Sequence, residues 1–278
     1  MIDVERFAVN RIAAPSLTLA QFYDLAAELG MRKVELRNDL GAGDIIDGLK
    51  SAEAAALASS RGIEVISINA LQKFNLASMR AKASGELERL LELAAAIGCT
   101  SIVLCPNNDA ADTRSPALRA SETIDALAAF GPLFAEVGIL GYIEPLGFAI
   151  SSLASLVLAQ EAIRKSGFSC YRVVHDTFHH YIGPEDQTIL GGVYDVRNTG
   201  LVHVSGVEVD LPADEYRDEH RVLVGPADRM KSREQMLRLD ELGYSGDYSF
   251  EPFSPVVQRL GRTELVAAFR KSLAYLCG

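Results

Sequence analysis

The chain has 278 residues, 49% of them hydrophobic and 23% charged, with a formal net charge of −10. This length is short for two separate domains of ordinary size, so we expect a single domain over residues 1–278. The negative charge, without a cluster of Lys or Arg, argues against a nucleic-acid partner because it would repel a phosphate backbone.

The cysteines and the apolar segments predict a cytoplasmic protein. Cys99, Cys105, Cys170 and Cys277 lack the short spacing of a zinc-binding pair, and a chain of this size does not depend on disulfides. We therefore expect free thiols, with Cys105 at a strand end and facing a pocket. The N-terminal sequence is charged and no segment reaches about 18 uninterrupted apolar residues, so we expect neither a signal peptide nor a membrane partner.

One unit recurs along the chain: a helical stretch ends at a glycine, and a short run rich in β-branched residues follows. Glycine suits the left-handed conformation that closes a helix. The predicted helix-ending glycines are Gly30, Gly62, Gly98, Gly138, Gly167 and Gly243. The clearest helices are predicted over about 18–29, 51–61, 82–97, 117–137, 152–166, 231–242 and 262–276.

Eight short strands alternate with these helices, and the gaps between them leave room for the crossovers that parallel pairing requires. No Gly-rich phosphate-binding loop follows the first strand, which argues against an open dinucleotide-binding sheet. We therefore predict the α/β class and a single closed (β/α)₈ TIM barrel. The predicted strands are Phe7–Arg11, Lys33–Arg37, Glu64–Ala70, Ser101–Pro106, Tyr142–Leu146, Tyr171–Asp176, Leu201–Gly206 and Asp247–Pro252.

Charged side chains end the last four predicted strands. Glu144, Asp176, His203 and Glu251 each lie within or beside an apolar run, and in such barrels function gathers at the C-terminal ends of the strands. A buried charge is costly unless it is paired or bound to a metal ion. Three carboxylates that point at one centre repel each other, and a divalent cation relieves that repulsion. Oxygen-rich ligation with one imidazole suits Zn²⁺, Mn²⁺, Co²⁺ or Mg²⁺, so the sequence predicts one such metal ion as the cofactor.

Each of these residues has a simpler interpretation when it is taken alone. A glutamate at a strand end is commonly a salt-bridge partner, and a lone His203 would be a hydrogen-bonded core histidine. Their occurrence on successive strands favours a site. His175 precedes Asp176 and should face the opposite side of its strand, whereas we expect His180 and His220 to be exposed to solvent.

Several short stretches, in order along nearly the whole chain, together resemble one family. They are Val34-Glu35-Leu36-Arg37, Ile68-Asn69-Ala70-Leu71 with Phe74-Asn75, Asp176-Thr177-Phe178-His179, Val202-His203-Val204, Glu219-His220-Arg221-Val222 and Phe250-Glu251-Pro252-Phe253. The sequence resembles the xylose-isomerase-like TIM barrels, a group that contains sugar-phosphate isomerases, epimerases and endonuclease IV type enzymes. Within that group it is most similar to the inosose isomerases of myo-inositol catabolism.

The resemblance implies the same four metal ligands that the strand ends indicate. It also implies that Glu144 and Glu251 serve as catalytic acid and base, without saying which is which. His179 and Arg221 match family positions that bind substrate.

Two further polar residues, Asn69 and Glu35, lie at the ends of the third and second predicted strands. We expect both to add contacts to the substrate. An alternative for Glu35 is a salt bridge with Arg37 or Lys33.

The long polar segment 207–230 follows the seventh predicted strand, and we expect it to be an ordered lid or pocket loop. It departs from the family in one place: Val224-Gly225-Pro226-Ala227-Asp228 stands where relatives often carry a Pro-Gly-x-Gly turn. The sequence therefore leaves the exact substrate open.

These features predict a metal-dependent isomerase that moves a carbonyl along a small polyhydroxy ketone, of the inosose (2-keto-myo-inositol) type, through an enediolate. A keto-sugar epimerase or an inosose dehydratase begins with the same step. An endonuclease IV-like enzyme would need more histidines than the five present and a basic groove. A glycosidase would need two carboxylates but no added ligands, and a non-catalytic sugar-binding protein would keep only the pocket. A homo-oligomer is compatible with this sequence.

Overall fold

The computed structural model describes residues 2–41 and 43–278, apart from the side chain of Gln187. Eight parallel strands form a closed barrel in which each strand pairs with the next and the last pairs with the first. The prediction of a (β/α)₈ barrel is thus confirmed. The strands are β1 (Phe7–Asn10), β2 (Lys33–Arg37), β3 (Glu64–Gln72), β4 (Ser101–Cys105), β5 (Leu140–Ile143), β6 (Tyr171–Asp176), β7 (Thr199–Val204) and β8 (Asp247–Phe250).

Helices cover the outside of this barrel. They are α1 (Leu19–Glu28), α2 (Ser51–Ser59), α3 (Arg80–Ile97), α4 (Pro116–Val137), α5 (Leu156–Ser166), α6 (Thr177–Ile182), α7 (Ser232–Glu241), α8 (Pro255–Gln258) and α9 (Arg262–Cys277). All six predicted helix-ending glycines have a positive φ. At Gly98, for example, the backbone turns left-handed and ends α3. Within the described part of the chain, no helix is both long and apolar enough to cross a membrane.

Proline explains where three strands end. The predicted strands that became β4, β5 and β8 extended into or beyond Pro106, Pro145 and Pro252, but all three end before the proline. Proline has no backbone N–H to give to a neighbouring strand. These bounds were therefore predicted too long at the C-terminal side.

The crossover from β6 to β7 differs most from the predicted pattern. No helix was predicted there, yet α6 begins directly after β6. Oδ1 of Asp176 accepts hydrogen bonds from the backbone N–H groups of Phe178 and His179, at 2.7 and 3.1 Å. The carboxylate thereby satisfies free N–H groups in the first turn of the helix.

The two faces of each strand have different surroundings. Val34 and Leu36 of β2 face outward and belong to the large cluster shared with the helices, which includes Leu87 and Leu90 of α3. Inside the barrel, a smaller apolar layer is formed by Ala8, Ile66, Ala70, Val103, Cys105, Val174 and Leu201, with Tyr142 and Leu146 packed against it. Because side chains alternate along a strand, the next inward positions after Tyr142, Val174 and Leu201 are polar.

Candidate metal centre

The predicted quartet meets at the C-terminal end of the barrel. Glu144, Asp176, His203 and Glu251 are buried, and one ligand atom from each lies within 4.8 Å of every other. Nδ1 of His203 lies 2.7 Å from Oε1 of Glu144, 3.3 Å from Oε2 of Glu251 and 3.9 Å from Oδ2 of Asp176. The structure therefore brings the four side chains together around one point.

This donor set fits a single divalent cation. Two atoms that each lie about 2.0–2.2 Å from a common ion are at most roughly 4.4 Å apart, which is close to the observed spread. The charges fit as well. Four carboxylates, those of the quartet and of Glu35, are buried beside the two buried guanidinium groups of Arg37 and Arg221. Among these six buried groups, the negative charges exceed the positive ones by two when His203 is neutral, and a dication would balance that excess.

Arg221 lies directly against two of the carboxylates. Its Nη2 donates to Oδ2 of Asp176 at 2.6 Å and to Oε2 of Glu251 at 2.9 Å, and its Nε donates to Oγ of Ser205 at 3.1 Å. Burial by itself lowers the pKa of Arg221, but Asp176 and Glu251 raise it above the ordinary value. The guanidinium stays charged and lines the cavity beside the quartet.

A second arginine, Arg37, was not among the predicted site residues. Its Nη1 donates to Oε1 of Glu251 at 2.8 Å. The ring of Phe253 contacts both guanidinium groups, with its centroid 5.0 Å from Cζ of Arg37 and 4.6 Å from Cζ of Arg221. Alternation along β2 places Arg37 on the same face as Glu35, and this signal in the sequence could have identified it.

Glu251 is held on several sides. Nδ2 of Asn10, another residue missing from the predicted site, lies 3.2 Å from Oε1 of Glu251 and donates to it. Burial by itself raises the pKa of Glu251, but the charges of His203, Arg221 and Arg37 lower it well below its usual range. The carboxylate is therefore ionised and fixed in place.

Glu35 lies against His203, on the side away from the open cavity. Its Oε2 lies 3.1 Å from Nε2 of His203 and accepts hydrogen bonds from Ser67 and Asn69. Burial raises the pKa of Glu35, but His203 and the hydrogen bond from Ser67 lower it to about 2. Among the described residues it has no ion pair with the basic residues of its own strand. A carboxylate on the far nitrogen of a ligating histidine fixes the orientation of the ring.

The imidazole of His203 is thus surrounded by carboxylates on both nitrogens. Burial lowers its pKa, but Glu251, Glu35 and Glu144 raise it well above the ordinary value. A histidine in this setting carries a proton until another cation takes the place of that proton.

A cavity of about 170 Å³ opens beside the quartet. Of the predicted site residues, Asn69, Glu144, His179, Arg221 and Glu251 line it, whereas Glu35 does not. Nδ1 of His179 is buried and has no hydrogen-bond partner among the described residues. A buried imidazole nitrogen without a hydrogen-bond partner is rare in folded proteins.

Cys105 faces this cavity, as predicted. Its Sγ donates to Oε2 of Glu144 at 3.4 Å. Burial and the charge of Glu144 raise the pKa of the Cys105 thiol well above its usual value. The thiol therefore stays protonated and acts as a weak donor to Glu144.

The remaining histidines were predicted with mixed success. His175 faces away from the quartet, as predicted, and its Nε2 lies 3.1 Å from Oε1 of Gln235. The prediction for His180 is wrong: it is only 7% exposed, and its ring centroid lies 4.8 Å from that of His175. The helix α6, missing from the sequence prediction, turns this side chain inward. His220 is half-buried.

The segment 207–230 is an ordered structure that contributes to the cavity wall. Oδ1 of Asp228 accepts hydrogen bonds from the backbone N–H groups of Val207 and Met230, at 2.9 and 3.1 Å. Asp218 and Arg221 of this segment reach the cavity. The unusual turn that contains Asp228 therefore fastens both ends of the segment together.

Comparison with known proteins agrees with this architecture. A solved structure of a xylose isomerase domain-containing protein from Salmonella typhimurium LT2 is 36% identical, with a TM-score of 0.93, and the match covers 100% of this chain and 99% of that one. The IolI protein with a bound zinc atom is 19% identical, with a TM-score of 0.88 and coverage of 98% and 97%. D-psicose 3-epimerase in the presence of D-fructose is 18% identical, with a TM-score of 0.75 and coverage of 98% and 100%.

The last two identities are low enough that they support the fold alone. No curated protein sequence matched this chain. The family model described as xylose isomerase-like TIM barrel matches residues 23–277. Because this match spans most of the sequence and the barrel is closed, the chain belongs to the xylose isomerase-like TIM barrel family.

Proposed function

We propose that this protein is a metal-dependent isomerase that moves the carbonyl of a small polyhydroxy ketone of the inosose type. The observation that carries the proposal is the buried quartet, in which two glutamates that line a cavity join an aspartate and a histidine around one point. Glu144, Asp176, His203 and Glu251 would hold the ion. When bound there, a divalent cation supplies Lewis-acid polarisation of a carbonyl.

The two glutamates are the candidates for proton transfer. Glu144 follows β5 and Glu251 follows β8, and both line the cavity. One of these carboxylates would take the proton from the hydroxyl-bearing carbon beside the ketone, and the C–H electron pair would form the C=C bond of an enediolate. A proton would then return to the former carbonyl carbon from the same carboxylate or from the other. The hydroxyl proton would pass to the former carbonyl oxygen, which leaves the carbonyl one carbon further along. Such a transfer contributes roughly 10²- to 10⁴-fold to a rate.

The surrounding residues orient the substrate and the ligands. The imidazole of His179 and the charged guanidinium of Arg221 line the cavity and would offer hydrogen bonds to hydroxyl or carbonyl oxygens there. Asn69 lines the same cavity and also donates to Glu35 at 2.8 Å. Glu35 acts through His203, so we assign it as a positioning residue.

The test is metal reconstitution of the chelator-stripped protein with Zn²⁺, Mn²⁺, Co²⁺ or Mg²⁺. Conversion of 2-keto-myo-inositol is followed by NMR in D₂O. We expect metal-dependent formation of an isomeric inosose, with deuterium entering at the carbon beside the ketone. Glu251→Gln should abolish it, whereas Glu241→Gln at an exposed position on α7 should not, because Glu241 pairs with Arg238 on the surface.

The products separate the related reactions. Deuterium incorporation without a new inosose would support proton transfer beside the ketone but contradict an inosose as the substrate. The substrate would then be another ketose, such as one that an epimerase converts. A folded, metal-loaded protein that shows neither conversion nor exchange would contradict the proposal.

A further inference from the structure

A second chamber adjoins the cavity beside the quartet. The inner cavity has a volume of about 170 Å³ and the outer chamber about 370 Å³. Asn108, Phe148 and Asp218 line both of them. The two spaces therefore adjoin each other, and a ligand larger than a single ring would extend from the inner cavity into the outer chamber.

The wall of the outer chamber is largely apolar. Phe148 and Ile150 come from the segment after β5, Ile182 from α6, and Ala213 and Tyr216 from the segment after β7. Ile150 is 42% exposed, although it is a large aliphatic side chain. Apolar surface beside a pocket is typical of a site that a ligand covers.

The residues of this wall are held in place by close packing. The ring of Phe148 packs edge-on against Phe178 and His179, with centroids 5.9 and 5.2 Å away. Gly147 brings the same segment against α6 so closely that a Cβ at this position would lie 2.0 Å from the backbone oxygen of His179. Tyr216 is buried with Phe178 in a small apolar cluster. The chamber is thus pre-formed on both sides.

The charges at the rim disfavour an anionic occupant. Asp214 and Asp218 line the chamber and would repel a phosphate or carboxylate. Among the described residues, Arg217 is the one cation in this lining, and its Nη1 donates to the backbone oxygens of Asp214 and Tyr216. Two carboxylates therefore stand against one guanidinium. An uncharged apolar group suits this lining better.

The volumes of the two spaces also favour a ligand that extends into the outer chamber. Pockets that enclose a small organic ligand measure about 300–1,000 Å³, and the inner cavity alone falls below that range. We infer that the inner cavity takes the polyhydroxy ketone ring while the outer chamber takes an uncharged apolar substituent on that ring. This inference rests on the proposed function, and it narrows the substrate class to substituted ring ketones.

Two ethers of 2-keto-myo-inositol make a matched pair of probes. One carries an O-methyl and the other an O-benzyl group, both at the carbon opposite the ketone. Titration calorimetry with the zinc-loaded protein measures the affinity of each, and NMR in D₂O measures exchange of the proton beside the ketone. We expect the benzyl ether to bind at least about tenfold more tightly, because its ring would bury apolar surface in the chamber.

A pair of variants locates the effect. Ile150→Asp places a charge in the outer chamber and should reduce the benzyl-to-methyl affinity ratio to within about twofold of one. Val256→Asp places the same charge on another apolar side chain at the same end of the barrel, 71% exposed and outside both spaces. It should leave the ratio unchanged.

The outcomes distinguish this inference from the proposed function. Exchange of both ethers without a preference for benzyl would overturn the inference and leave the function standing. A benzyl preference that Ile150→Asp removes, without exchange under any metal, would support the chamber and contradict the function. Absence of binding by both ethers would overturn the inference. A dimer seen by sedimentation and dissociated by Ile150→Asp would also overturn it, because a second copy of the chain would then occupy the chamber.

Discussion

The interior of the barrel has two layers built from the same strands. Val174 and Leu201 lie in the apolar layer, and two residues further along β6 and β7 lie Asp176 and His203. The apolar layer stabilises the fold by removing surface from water. The charged layer costs stability, because buried carboxylates must be offset by Arg37, Arg221 and, in our proposal, a cation. A step of two residues thus separates the part that holds the barrel together from the part that carries chemistry.

The largest expected effect is on the charged layer. Asp176→Asn keeps an oxygen that can cap α6 but removes one negative charge from the quartet. We expect the affinity for Zn²⁺ to fall by more than about 100-fold. This is more than the roughly 10- to 100-fold loss that follows when a residue that only orients a metal ligand is replaced. A competition titration with a chromophoric chelator measures it. Asp186→Asn, at an exposed position that caps a short turn, is the control and should bind zinc like the parent.

The apolar layer should respond in stability alone. Leu201→Ala removes a side chain that is 1% exposed, and such a change costs about 2–5 kcal/mol. Urea unfolding measures the free energy, and zinc affinity should stay the same. Leu158→Ala, at a position 49% exposed on α5, should change stability by no more than about 0.5 kcal/mol. A parallel loss of zinc affinity in Leu201→Ala would mean that the two layers are not separable.

A substitution at Glu35 should have an intermediate effect, because this residue contacts the metal ligand His203 and would not itself bind the metal ion. Glu35→Gln keeps the shape of the side chain but removes the charge beside Nε2 of His203. We expect zinc affinity to fall by about 10- to 100-fold, less than for Asp176→Asn. Glu64→Gln, an exposed position on β3, is the control. Unchanged affinity in Glu35→Gln would remove its assigned role in positioning His203.

We expect the smallest effect on stability from a substitution at the N-terminal end of the barrel, opposite the quartet. Nζ of Lys33 lies 2.5 Å from Oδ1 of Asp247, and both side chains are about one-quarter exposed. A pair as accessible as this contributes about 0–1 kcal/mol. Lys33→Met should therefore shift the urea midpoint only slightly and leave zinc affinity intact. A loss above about 2 kcal/mol would show that this end of the barrel is more than a solvated rim.

Much of the fold could be predicted because it depends on local signals. Glycines such as Gly98 and Gly138 end helices at the expected places. The inward ends of β5, β6 and β7 carry a polar residue two positions after a residue that belongs to the apolar layer or packs against it. The helix α6 was missed because it is only six residues long. Its N-terminal cap is Asp176, which the sequence analysis had interpreted as a metal ligand and not as the start of a helix. A short helix with a single capping group has little periodicity to detect.

The candidate site was predictable in its four charged strand ends but not in its support. Arg37 and Asn10 belong to the site through contacts with Glu251, which lies more than 200 positions away in the chain. Glu35 was expected at the substrate, yet its oxygens face His203 and Asn69. Such long-range pairings depend on how eight strands are staggered around the barrel, and single-strand periodicity does not contain that information.

The central claim is that the quartet binds one divalent metal ion. Crystals of the protein soaked in ZnCl₂ and measured on both sides of the zinc absorption edge test it directly. The account predicts a single strong anomalous peak about 2.0–2.2 Å from one atom each of Glu144, Asp176, His203 and Glu251. An intact quartet without a peak, or with the peak at other residues, would contradict it.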